Sequence, residues 1–86
     1  MAAVAYDELA MTYEAKGDRD RARANYEKAL GADRDYATAN CHYARLLSKM
    51  NDPREREKMK AAAAKVLELE PRGDCSAEMQ RLANVQ

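Results

Sequence analysis

The chain predicts an all-α fold of antiparallel helix-turn-helix repeats, about five helices in 86 residues. Three observations carry that expectation. Eighteen residues are Ala, with abundant Glu, Lys, Arg and Leu, which is a helix-forming composition. Gly occurs three times, Pro twice, and Phe and Trp never. Apolar residues recur at helical i, i+3, i+4 and i+7 spacing in five successive windows.

The first window, about 2–16, sets Tyr6, Leu9, Ala10 and Tyr13 on one stripe, and Gly17 ends it. Asp18 is placed to cap the next helix, about 19–32, whose stripe is Ala22, Tyr26, Ala29 and Leu30. Gly31 and the charged Asp33-Arg34-Asp35 stretch lead into a third helix, about 36–50, with Tyr43, Ala44, Leu47 and Met50. Asn51-Asp52-Pro53 marks a boundary, with Asp52 as N-cap and Pro53 at the first helical position. The fourth helix, about 54–70, turns Met59, Ala62, Ala63, Val66 and Leu67 inward, and Pro71 and Gly73 stop it. A short fifth helix, about 75–85, presents Met79, Leu82 and Ala83. Connections this short make neighbouring helices antiparallel.

Fifteen basic and fifteen acidic residues cancel, which argues against a dedicated nucleic-acid binder. Arg45, Lys49, Arg54, Arg56, Lys58 and Lys60 form a basic centre. Alternation with acids between Arg54 and Lys60 reads as a solvated face rather than an RNA surface. No run approaches the length of a membrane span, and no basic leader precedes an apolar stretch. A cytoplasmic location is therefore the first expectation, with the periplasm if the segment comes from a longer protein. The opening residues run straight into the helical pattern, as in an excised fragment or a clipped mature form.

Nothing in the sequence assembles a catalytic site, so no catalytic residue, metal site or cofactor is expected. The single His42 adjoins Cys41, but adjacent helical residues do not face one another. A zinc site would need two further ligands, and neither Cys-x2-Cys nor His-x3-His occurs. No Gly-rich phosphate loop is present. Cys41 and Cys75 read as reduced, small apolar residues. A bridge between them would require the fifth helix to start beside the third helix's second turn. The repeat register instead sets Cys75 against the region before Cys41. Arg72-Gly73-Asp74 is accounted for by the helix stop.

Self-comparison reveals an internal repeat. A shift of 34 places Leu9 on Tyr43, Ala10 on Ala44 and Tyr13 on Leu47; a shift of 37 places Ala22 on Met59 and Leu30 on Leu67. The first unit reads Tyr6-x2-Leu9-Ala10-x2-Tyr13, Gly17-Asp18, Ala22-x3-Tyr26-x2-Ala29-Leu30. That pattern resembles a tetratricopeptide repeat in all but its closing Pro, which is Arg34. The second unit is degenerate, with Asn40 in the aromatic slot, yet it ends in Pro71. The expected organisation is one domain over 1–86: repeat 1 at about 3–36, repeat 2 at about 37–73, and a capping or partial third-repeat helix at about 74–86. Leu9, Ala10, Tyr13 and Tyr26 are the expected core of the first unit.

The resemblance implies that the first helix of each unit lines a concave groove. Its residues would be Val4, Asp7, Met11 and Glu14, with Thr38, Cys41, His42, Arg45 and Lys49 from the third helix. Spacing agrees, since Asp7, Met11 and Glu14 form an i, i+4, i+7 set off the packing stripe. Chaperone-tail-binding members grip a carboxylate with Lys and Asn where this chain has Asp7 and Met11, so that clamp is not expected. The expected function is a non-catalytic protein-interaction module, a scaffold for assembly. It would bind a protein or peptide segment, such as an acidic one with an apolar anchor, in the groove. Arg45 and Lys49 would form its cationic wall, opposite Asp7 and Glu14. The alternative is self-association into a homo-oligomer through exposed repeat ends.

Overall fold

The computed structural model describes residues 1–85. Five α-helices follow in order: α1 (Ala2–Ala15), α2 (Arg19–Ala32), α3 (Ala37–Met50), α4 (Arg56–Leu69) and α5 (Ser76–Ala83), with a 3-10 turn at Pro53–Glu55 before α4. Each lies within two residues of its expected bounds, because the stop signals are local. Gly17 sits at φ 82°, where its N–H bonds Glu14 O at 2.9 Å and Asp18 N–H bonds Tyr13 O at 3.0 Å. These two bonds close a Schellman motif around the left-handed glycine. Asp18 then caps α2 by accepting from Arg21 N at 3.1 Å. Asn51 ends α3 at φ 53°, and Asp52 accepts from Arg54 N at 3.0 Å over the proline-led turn. Gly31 proves to be inside α2, which continues to Ala32 before the extended Asp33.

Successive helices pack as hairpins, α1 on α2, α2 on α3, α3 on α4 and α4 on α5. Weaker contacts join α1 to α3 and α3 to α5, so those three make one layer, backed by α2 and α4. One core runs through the stack. Ala10, Ala22, Ala29, Ala44 and Ala63 are wholly buried where helix axes approach, while Tyr26, Leu46, Val66 and Met79 fill the larger spaces. Met79 and Leu82 of α5 join the cluster that holds Leu46, Leu47 and Val66.

Two expectations fail for long-range reasons. The stripe of α1 was expected inward, but Tyr6 is 36% and Leu9 43% exposed, with Tyr13 half-buried. In α3 the matching Tyr43 is buried, and its hydroxyl donates to Glu27 of α2 at 2.7 Å. Among the described residues no second helix covers that face of α1 as α2 covers it on α3. Instead Lys28 of α2 lies over the Tyr6 ring at 5.9 Å and Arg21 over Tyr13 at 5.8 Å.

The second failure concerns the cysteines. Cys41 and Cys75 form a disulfide, with Cα atoms 6.4 Å apart. The sequence register matches Leu82-Ala83 to Tyr43-Ala44, an offset of 39. In the structure Cys75 faces Cys41 and Glu78 faces Arg45, offsets of 34 and 33. Helix α5 has slid five to six residues, about a turn and a half, along α3, and that slide brings the sulfurs together.

Candidate functional site: the cleft between α1 and α3

A cleft of about 460 Å³ opens between α1 and α3. It brings together five of the nine expected groove residues, Met11, Glu14, His42, Arg45 and Lys49. Ala15, Gly17, Arg19 and Tyr26 complete the lining. Sequence reading missed these four, since Tyr26 had already been assigned to the core stripe. The position of Arg19 beside Gly17, at the mouth of the first hairpin, was the available signal.

The other four lie elsewhere. Val4 lines a separate hollow with Met1, Ala32, Asp33 and Tyr36 near the start of α1. Thr38 and Cys41 line a second cleft of about 300 Å³ with Glu70, Asp74 and Cys75, and His42 borders both clefts. Cys41 is 2% exposed and disulfide-bonded, and it lies outside the lining of the main cleft. Asp7 is likewise only 2% exposed. It is covered because His42 folds over it, with Nδ1 donating to Oδ1 at 3.0 Å and Oδ2 at 3.2 Å. That bond fixes the imidazole ring and leaves Nε2 as its remaining polar atom.

A polar frame holds the cleft's shape. The Tyr26 hydroxyl donates to Glu14 at 2.8 Å, and its ring lies 5.9 Å from that of His42 at a tilt. Burial first, then the Glu14 hydrogen bond and charge, push the Tyr26 phenol well above its ordinary range. The phenol thus stays a donor throughout neutral pH. Lys49 of α3 reaches across to Glu14 of α1 at 3.5 Å. Arg45 turns instead toward α5, donating from Nε and Nη2 to Glu78 at 3.0 and 2.8 Å. That pairing raises the guanidinium's pKa and holds the Glu78 carboxyl below the usual range. The expected confrontation of Arg45 and Lys49 with Asp7 and Glu14 is therefore reduced to Lys49 and Glu14. With Arg19, the lining carries three cations against one carboxylate. Chemically the cleft sets the Met11 thioether and the Tyr26 and His42 rings beside the basic side chains of Arg19, Arg45 and Lys49.

Among the described residues no helix is long and apolar enough to cross a membrane. No curated protein matches the chain. Residues 3–36 match the family model of the tetratricopeptide repeat, and such repeats generally mediate protein–protein interaction without catalysis of their own. That match covers α1 and α2, and α3 and α4 form a second helical pair on the same plan. Residues 3–36 are thus similar to a tetratricopeptide repeat, and the chain as a whole has a helical-repeat fold.

Proposed function

We propose that the chain is a non-catalytic scaffold module whose α1–α3 cleft takes an acidic peptide segment bearing one apolar anchor. One observation carries this reading: the Met11 thioether and the rings of Tyr26 and His42 share the cleft with Arg19, Arg45 and Lys49, against the single carboxylate of Glu14. Burial of the anchor supplies most of the affinity, and the cations set orientation and association rate. A cleft this short supports micromolar binding, about −8 kcal/mol. Repeat 2 would span about 37–73 and α5 would cap it. The α3–α5 cystine suits an oxidising surrounding better than the reducing cytoplasm.

The test is a calorimetric titration of Asp/Glu-rich peptides that carry a single Leu or Phe. Arg19→Glu with Lys49→Glu should weaken binding at least tenfold (about 1.4 kcal/mol) without altering the helical circular-dichroism spectrum. Arg45 is spared because it holds α5. The control reversal of Arg34 and Arg72, exposed cations outside the cleft, should change nothing. Sensitivity of the control pair alone would move the site to another face.

A second reading, homo-oligomerisation, is favoured by the open Tyr6–Leu9 face of α1. Leu9→Lys should abolish any concentration-dependent dimer seen by sedimentation. A dimer that survives that change would exclude this face.

A further inference from the structure

The cleft shared by Cys41 and Cys75 has no part in the peptide-binding reading. It holds about 300 Å³, enough for a small molecule, and the cystine forms part of its wall. The two sulfurs are not equivalent. Cys41 is buried, Cys75 is half-exposed, and the Arg45 Nη2 lies 3.5 Å from the Cys41 sulfur and 3.9 Å from that of Cys75. Glu70 and Asp74 put two carboxylates on the same wall, with Thr38 and His42 beside them. The cystine also fastens α5, whose eight residues are too few to persist as a helix alone. Its other fastenings are the Arg45–Glu78 pair and the buried Met79 and Leu82.

From this geometry we infer that Cys41–Cys75 is a thiol-exchange site for small thiols bearing an ammonium group, and that exchange there unlatches α5. The thiolate attacks the accessible Cys75 sulfur. A new sulfur–sulfur bond joins the thiol to Cys75 as the Cys41–Cys75 bond breaks. The bonding pair leaves with the Cys41 sulfur as a thiolate, which the adjacent Arg45 guanidinium stabilises. A second thiol displaces the first from Cys75. In sum two small thiols are oxidised to their disulfide, the cystine is reduced to two thiols, and the thiols' two protons pass to Cys41 and Cys75. The carboxylates of Glu70 and Asp74 receive the ammonium group and disfavour an anionic thiol.

Loss of the tether leaves α5 on its remaining contacts, so it opens locally. Arg45 then loses Glu78 and turns its charge to the main cleft. This consequence rests on the peptide-binding reading; the exchange and the unlatching do not.

The experiment exposes the 86-residue protein to cysteamine or to mercaptoethanesulfonate at equal thiolate concentration. Samples are quenched in acid, the first adduct is located by peptide mass spectrometry, and amide hydrogen exchange is followed in parallel. The first adduct should lie on Cys75, and cysteamine should form it severalfold faster. Exchange over residues 76–83 should rise more than tenfold while α1 to α3 stay within about twofold. A first adduct on Cys41, equal rates for the two thiols, an α5 that keeps its protection, or loss of protection through the whole chain would each overturn the inference. Failure of acidic peptides to bind in either redox state would remove the peptide reading and leave the latch standing.

Discussion

The Arg45 guanidinium of α3 donates twice to one carboxylate oxygen of Glu78 on α5, from Nη2 at 2.8 Å and Nε at 3.0 Å. A residue expected to meet a ligand is thereby committed to the capping helix. Both side chains are about a third exposed, so the pair contributes modestly, about 1 kcal/mol after solvent screening. Glu78→Gln should lower stability by about that amount at pH 7, read from denaturant unfolding. The folded pKa of Glu78 is depressed, so its contribution is present above the usual carboxylate range and is lost as pH falls through the folded value. The gap between wild type and variant should therefore close in strongly acidic solution. A gap that persists there would assign the effect to packing.

Substitutions in α1 and α3 separate buried positions from exposed ones. Leu9→Ala should cost below about 1 kcal/mol, since Leu9 is exposed, although its sequence slot marks it as core. Leu46→Ala should cost about 2–5 kcal/mol, because Leu46 is fully buried. Ala10→Leu should cost about 1–3 kcal/mol by forcing α1 from α2. Thermal melts of the three variants give the order directly.

Helix ends and hairpin order were legible because their signals are short-range. Gly17, Asp18, Asp52 and Pro53 each act on the next turn of chain. The burial of Asp7 and the slide of α5 depend on neighbours more than thirty residues away, and the exposure of Leu9 depends on which helices pack against α1. A hint of the cystine was present, since Cys41 and Cys75 are 34 residues apart, the same shift that superposes α1 on α3. The cleft was half legible. Met11, Glu14, His42 and Lys49 follow from helical phase, whereas Arg19 and Tyr26 enter it from the partner helix.

Alkaline unfolding should report the two buried tyrosines. Burial and a carboxylate partner raise the phenols of Tyr26 and Tyr43, Glu14 acting on one and Glu27 on the other. A raised folded pKa gives stability that is whole below the unfolded value of 10.0 and declines as pH rises above it. Each phenol should contribute a slope that grows from about 0.7 toward about 1.4 kcal/mol per pH unit there. Tyr26→Phe should remove about half of the combined slope in unfolding titrations between pH 10 and 11. An unchanged slope would mean that Tyr26 ionises as freely folded as unfolded.

The Asp7–His42 contact should matter to the cleft's shape. Asp7→Ala leaves the imidazole without its anchor and should destabilise the fold by about 1–3 kcal/mol. Asp7→Asn, which keeps an oxygen to accept from Nδ1, should recover most of that loss. Equal losses in the two variants would show that the carboxylate's charge, not its hydrogen bond, holds the ring.

Peptide binding in the α1–α3 cleft is tested most directly by an amide-shift titration of the ¹⁵N-labelled protein with an acidic, Leu-anchored peptide. The largest shifts should fall at Met11, Glu14, Arg19, His42 and Lys49, with a fast-exchange isotherm in the micromolar range. Shifts confined to Arg54 of the 3-10 turn and to Lys58 and Lys60 of α4, or to Tyr6 and Leu9, would exclude binding in this cleft.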